Sequence, residues 1–263
     1  VGAAGANQAV AAARLGANVT MIGKVGSDSF GAESIRRLEE FGVNCEHVEV
    51  AQGDSGLAVI TVSDGGHSTI VVVPGANADV SAEFVESKRD VIRGAGIVLA
   101  QLEIPIDSVL RLAAICAAEG VPLMLDPAPA RPLPAELLSQ CEWITPNATE
   151  ALFYAAGLDA SSTPQQVAAA LRTRGARNIL LKLGERGAYL DRVAQPALSV
   201  AAVTVTAVDT TAAGDTYNGA FAAALVAGRD MADCGQFAAA AAALSVTRAG
   251  AQTSITSRLR DGM

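Results

Sequence analysis

Between residues 81 and 183 the chain alternates between two kinds of apolar pattern, and this alternation restricts the possible folds more than any other feature. Helical spacing near 81–93 gives way to a strand pattern at 96–101, a helix at 106–119 and a strand at 121–126. A strand at 142–145, helices at 148–156 and 164–174, and a strand at 177–183 follow. Strands separated by helices are too far apart along the chain for hairpins. They join instead through right-handed crossovers into a parallel sheet with both faces covered. The expected fold class is therefore α/β, a doubly wound, mostly parallel sheet flanked by helices.

The flanks fit that plan. Gly5-Ala6-Asn7 opens an alanine-rich helix that runs to Leu15 and stops at Gly16; a strand at 18–25 and a helix from Asp28 to Phe41, ended by Gly42, come next. The segment 187–208 reads as edge strands, with Gly187 to Leu190 and a valine alternation from Val200 to Val208. Alanine-rich helices at about 214–227 and 232–247 close the fold. Residues 43–73 break the alternation. Three short strand patterns, at 47–50, 57–62 and 68–73, have no helices between them, and Asp64-Gly65-Gly66 is a hairpin signal because glycine adopts positive φ without strain. They predict a small antiparallel β lid on a single domain spanning 1–263.

A length of 263 residues suits one such domain, and a hydrophobic fraction of 51% with only 17% charged residues supplies a deep core. The formal charge of −8 excludes a general attraction to nucleic acid or anionic membrane, so any phosphate must be held locally. No apolar run reaches the ~20 residues of a membrane span, and the reading is of a soluble, cytoplasmic protein. Cys45, Cys116, Cys141 and Cys234 lack paired spacing and are expected as buried reduced thiols. His47 and His67 have no second ligand at metal spacing.

Three strand-to-helix or strand-to-turn junctions carry chemistry. In Val208-Asp209-Thr210-Thr211-Ala212-Ala213-Gly214-Asp215, small residues let the backbone approach a ligand, and a starting helix presents unpaired amides to an anion. Asp215 beside such an anion hole suits the removal of a proton from an attacking hydroxyl, although an aspartate capping an ordinary turn has the same sequence. Asn147 and Glu150 in Thr145-Pro146-Asn147-Ala148-Thr149-Glu150 share a helix face and could order water around Mg2+ on nucleotide phosphates; a capping box looks similar. Lys182-Leu183-Gly184-Glu185-Arg186-Gly187 could wrap phosphates or ribose, or form a plain turn. No GxGxxG or GxxxxGK[ST] pattern is present, which removes most support for dinucleotide binding or a Walker-type NTPase.

Taken together these segments resemble the ribokinase family of carbohydrate kinases over nearly the whole chain. GANQAVAAARLGANV at 5–19 and AVDTTAAGDTYNGAF at 207–221 are similar to its two long motifs. QLE at 101–103, DPAPAR at 126–131, ITPNATE at 144–150 and TRAGAQTS at 247–254 resemble its ribose-phosphorylating branch. The resemblance implies ATP-dependent phosphorylation of D-ribose at its 5-hydroxyl. Asp215 would be the base, and the amides at Ala212, Ala213 and Gly214 would hold the transferring phosphoryl group. It implies sugar contacts at Ala3, Ala4, Gly5, Ala6, Asn7 and Glu103, with Asn7 and Glu103 foremost. ATP would lie along Lys182 to Gly187, bordered by Gly214 and Ala239, with Asn147 and Glu150 organising Mg2+. A K+ activator would sit among Asp209, Thr211, Ser245, Arg248, Gly250 and Ser254. A homodimer formed through the lid is also implied.

Two departures from the family pattern stand out. Gly2-Ala3-Ala4-Gly5-Ala6-Asn7 replaces a GGKGAN pattern, removing a lysine donor, and the family's first strand, with part of its lid, has no counterpart here. The alternatives are a kinase for another sugar, a sugar acid or a nucleoside, or a truncated or degenerate member that binds without efficient transfer.

Overall fold

The structure, a computed structural model, describes residues 4–62 and 68–257. Ala3, the Asp64-Gly65-Gly66 turn and His67 lie outside those residues. The chain begins with α1 (Ala4–Arg14), β1 (Val19–Gly26), α2 (Ser29–Glu40) and β2 (Val43–Ala51), followed by β3 (Leu57–Val62) and β4 (Ser68–Val73). The helical stretch near 81–93 is two short helices, α3 (Ala82–Ser87) and α4 (Arg89–Arg93). Next come β5 (Val98–Ala100), α5 (Ile106–Glu119), β6 (Leu123–Leu125), α6 (Leu137–Gln140), β7 (Trp143–Ile144), α7 (Ala148–Tyr154) and α8 (Pro164–Thr173). The final elements are β8 (Asn178–Lys182), β9 (Ala188–Arg192), β10 (Leu198–Val200), α9 (Ala213–Val226) and α10 (Met231–Ser245).

The main sheet has the order β10-β9-β8-β7-β6-β5. Strands β5 to β8 are parallel, and β9 and β10 add an antiparallel edge. Successive residues of each central strand point to opposite faces. Leu125, Ile144 and Leu181 therefore face one core, while Met124, Trp143 and Leu180 face the other. The first core is closed by α5, α7 and α8, and the second by α9 and α10, where Trp143 and Phe221 meet edge to face at 5.1 Å. Burial on both faces is what the unbroken apolar strand patterns required.

Strands β3 and β4 pair antiparallel, as the hairpin signal predicts. The first strand of the supposed lid behaves differently: residues 43–51 pair parallel to β1, with α2 as the crossover. The valine alternation also overreaches. β10 ends at Val200, and Val203, Val205 and Val208 are exposed, so the period-two pattern has no partner face to cover it.

The helix contact that matters most for the site is α1 against α9. Gly219 makes it possible, because a Cβ there would lie 2.5 Å from the Gln8 carbonyl oxygen and 2.6 Å from the Ala11 Cβ. The first helix of the chain thereby lies directly on the ninth.

Candidate active site

Polar and charged side chains collect where the parallel strands end at their carboxyl edge, the usual location of ligand sites in open α/β sheets. Gln101 and Glu103 follow β5, Asp126 follows β6, Asn147 follows β7, and Lys182 is the last residue of β8. Opposite them α9 begins. Ala212, its N-cap, has φ 60° and ψ 14°. This left-handed conformation costs a non-glycine residue about 1–2 kcal/mol. Thr216 is bonded back to the Ala212 carbonyl, so the helix offers no carbonyl to the amides of Gly214 and Asp215. Among the described residues, those two amides are left without a backbone partner at the mouth of the helix.

Asp215 stands in that first turn, and helix α1 holds it from the other side. Asn7 Nδ2 donates to Asp215 Oδ2 at 2.9 Å, and Gln8 Nε2 donates to Oδ1 at 3.1 Å. Burial pushes the carboxyl up to about 6; the Asn7 and Gln8 bonds oppose the rise, Asp126 adds to it, and Lys182 reduces it. The group is thus ionised at neutral pH yet more basic than an ordinary aspartate, which suits proton removal from an alcohol.

Beneath Asp215 lies a buried polar spine. Asp126 accepts from Gln8 Nε2 at 2.9 Å, Asn218 Nδ2 at 2.8 Å and Lys182 Nζ at 3.0 Å. The Lys182 ammonium is close under the helix mouth, since a Cβ on Gly214 would lie 3.6 Å from Nζ. Gln8 Oε1 accepts from Gln101 Nε2 at 2.7 Å. Glu103 Oε2 accepts from the Ala4 amide at 3.0 Å, at the start of α1. Burial, followed by the charges of Asp215 and Asp126, pushes the Glu103 carboxyl up to about 7, against the lowering effect of the Ala4 bond.

The structure brings many of the sequence-predicted residues together. Ala4, Gly5, Ala6 and Asn7 form the first turn of α1 beside Glu103 and Asp215, and the Asn7 amide is turned inward onto Asp215, leaving its Oδ1 buried with no partner among the described residues. Asn147 and Glu150 make a full capping box, with bonds of 2.9 and 2.8 Å. The helix-capping reading is therefore present. Burial pushes the Glu150 carboxyl above its ordinary value; the Asn147 amide bond and the Lys182 charge oppose the rise, and the charges of Asp126 and Asp215 add to it. Among the described residues no cluster of three or more His, Cys, Asp or Glu side chains could hold a metal ion.

Lys182 to Gly187 turn through Gly184, at φ 62°, and the Leu183 amide bonds the Gly187 carbonyl at 2.8 Å. Leu183 is half-buried, whereas Gly184, Glu185 and Arg186 are exposed beside the exposed Asn147. Ala239 is buried within the packing of α9 and α10. Asp209 ties two loops together, its Oδ1 accepting from the Thr211 amide at 2.9 Å and its Oδ2 from Gly250 at 2.8 Å. Ser245 and Ser254 are buried near the end of α10 and in the turn after it, while Thr211 and Arg248 are exposed. A cavity of about 860 Å³ lies between β1 and β5 and reaches Gly5, Gln8 and Glu103, although its walls do not include Asp215.

Sequence reasoning assigned no role to Gln8, Asp126, Gln101 or Asn218. Their partners lie 56 to 207 residues away along the chain, beyond the reach of any local pattern.

The family model described as pfkB family carbohydrate kinase matches residues 1–258. The ribokinase of Schizosaccharomyces pombe is 38% identical over 98% of this chain and 84% of its own length. A structure of Arabidopsis thaliana ribokinase complexed with ribose and ATP superposes with a TM-score of 0.92 at 33% identity, covering 98% of this chain and 85% of that one. A putative ribokinase II from E. coli, in complex with ATP and Mg2+, gives a TM-score of 0.81 at 25% identity, over 97% of this chain and 85% of its own. The chain belongs to the pfkB family of carbohydrate kinases.

Proposed function

We propose that this chain transfers the γ-phosphoryl group of ATP to the 5-hydroxyl of D-ribose. The observation that carries this reading is the meeting of Asp215, the α9 amides, the Lys182 ammonium and Glu103 at one sheet edge. Asp215 accepts the hydroxyl proton, and the amides of Gly214 and Asp215 stabilise the charge on the transferred group, while the Ala213 amide is tied to the Thr210 carbonyl at 3.2 Å and shapes the turn. Lys182 supplies positive charge below the same point. Positioning and electrostatics of this kind carry most of the catalysis of phosphoryl transfer.

On the sugar side, Glu103 and the unpartnered Asn7 Oδ1 offer acceptors to hydroxyls, with the backbone of Ala3 to Ala6 alongside. The Lys182–Gly187 turn and Gly214 border ATP, with Ala239 backing the adenine. Asn147 and Glu150 face the Mg2+ that the nucleotide brings, which neutralises phosphate charge when bound. Asp209, Thr211, Ser245, Arg248, Gly250 and Ser254 suit a K+ site through their carbonyls, because the Asp209 carboxylate fixes the loop beside the phosphate mouth.

The whole chain acts as one kinase domain, in which β3 and β4 form the lid. Exposed Leu57, Val72 and Val73 on those strands favour a homodimer through that face. Four free, buried cysteines fit a reducing, cytoplasmic setting. The cavity between β1 and β5 separates two strand edges with no partner among the described residues, and each strand residue fills about 160 Å³ of a sheet. Its volume of about 860 Å³ therefore has room for one further strand of about five residues.

The test is ADP release from MgATP with ribose against fructose, a sugar acid and a nucleoside. Ribose-dependent turnover above all others is expected. ADP release unchanged by every acceptor would overturn the kinase reading, and preference for another acceptor would replace ribose.

A further inference from the structure

Gln8 is a buried amide with no place in the chemistry described above, yet it touches both halves of the site. Its Nε2 donates to Asp215 Oδ1 at 3.1 Å and to Asp126 Oδ2 at 2.9 Å, while its Oε1 accepts from Gln101 Nε2 at 2.7 Å. The side chain is 1% exposed, and the α1 backbone around it is pinned to α9 at Gly219. Few other arrangements would satisfy these partners. Both carboxylates need a donor, and Gln101 presents one to the opposite end of the amide, so the network fixes which way Gln8 is turned.

We infer that Gln8 is a positioning residue that sets the plane of the Asp215 carboxylate by locking it to Asp126 and, through Gln101, to the strand end that carries Glu103. With Asn7 on Oδ2 and Gln8 on Oδ1, rotation of the carboxylate would break at least one bond. The remaining lone pairs are thereby aimed while the site is still empty of substrate. Asp126 is in turn held by Lys182 and Asn218, so Gln8 links the base to the cation under the phosphate mouth. Misplacement of a reacting group by about 1 Å can lower a rate on the order of a hundredfold, and such a loss falls on kcat. The charged groups facing this cluster are Asp126 after β6, Lys182 on β8, Glu103 after β5 and Asp215 on α9.

This inference rests on Asp215 being the base, and the experiment separates the two ideas. Gln8→Met keeps the length of the side chain and removes its donor and acceptor; Gln101→Met leaves Gln8 in place but frees its Oε1. For both variants kcat, KM for sugar and ATP, and the pH profile of kcat/KM are measured, together with the carbon-13 titration of the Asp215 carboxyl, assigned with Asp215→Asn. Gln8→Met is expected to lower kcat by about ten- to a hundredfold with little change in KM for ATP. It should move both the acidic limb and the carboxyl titration to higher pH, because a hydrogen bond to the ionised form is lost. Gln101→Met should shift both in the same direction by less.

A folded Gln8→Met protein whose acidic limb and carboxyl titration match the parent overturns the inference. If Gln8→Met does not fold, Gln101→Met with parental profiles does the same. A parent without sugar-dependent turnover would remove the kinase reading, while the titration would still decide whether Gln8 governs the carboxylate.

Discussion

Replacing Asp215 by Asn is expected to do two separable things. Turnover should fall by about 10²- to 10⁴-fold, the usual contribution of a positioned base. Stability should change in a way that depends on pH. Burial pushes the Asp215 carboxyl from 3.8 to about 6, and a shift of about two units at 1.36 kcal/mol each amounts to about 3 kcal/mol. The folded state binds this proton more tightly than the unfolded chain does. Its contribution is therefore harmless below pH 4, grows as a penalty between 3.8 and about 6, and is constant above that. Asparagine removes the penalty. It also offers one acceptor oxygen where Asn7 and Gln8 found two, a loss of about 1–3 kcal/mol at every pH. The diagnostic quantity is the stability of the variant minus that of the parent, measured by urea unfolding from pH 4 to 8. That difference should rise by about 3 kcal/mol across the range, most of it before pH 6. A difference that stays flat would show that Asp215 is not held above its ordinary pKa, and the basicity argued for it would fall with that result.

In the parent enzyme, kcat/KM should drop about tenfold per pH unit below about 6, as Asp215 becomes protonated; a limb near 4 would contradict this. Gly214→Ala has room for its methyl group, 3.6 Å from Lys182 Nζ, so melting temperature should hold while turnover falls by at least about tenfold as the phosphoryl group is crowded. Glu103→Gln should raise KM for ribose by about tenfold and leave KM for ATP within about twofold, and steady-state kinetics with each substrate varied would show otherwise if Glu103 only caps α1. Asp209→Ala, which unties Thr211 from Gly250, should abolish the ratio of activity in potassium to that in a large organic cation. An unchanged ratio above one would place the cation elsewhere.

The alternation from 96 to 183 was legible because strands buried on both faces, such as β6 and β8, cannot include solvent-facing residues. The start of α9 was legible for a local reason, since the turn into the helix is completed within the four residues Ala212 to Asp215. The direction of β2 was not, because a short apolar strand reads the same whether its partner is parallel or antiparallel, and only the α2 crossover decides it. The stretch after Val200 misled because alternation signals a strand only when one face finds cover, and Val203 and Val205 find none. The polar spine was hidden for another reason. Gln8, Asp126 and Asn218 acquire their meaning from one another, and no local window contains two of them.

The Gly219 contact has a consequence for synthesis of the protein. Asn7 reaches Asp215 across 208 residues of chain, so the base acquires its partners only after α9 has left the ribosome and α1 has docked on it. A nascent polypeptide halted anywhere before that helix has a substantial sheet but no assembled carboxylate. Phosphoryl transfer would then begin only after α9 has been made and α1 has docked on it, and a chain halted short of that helix would not consume nucleotide.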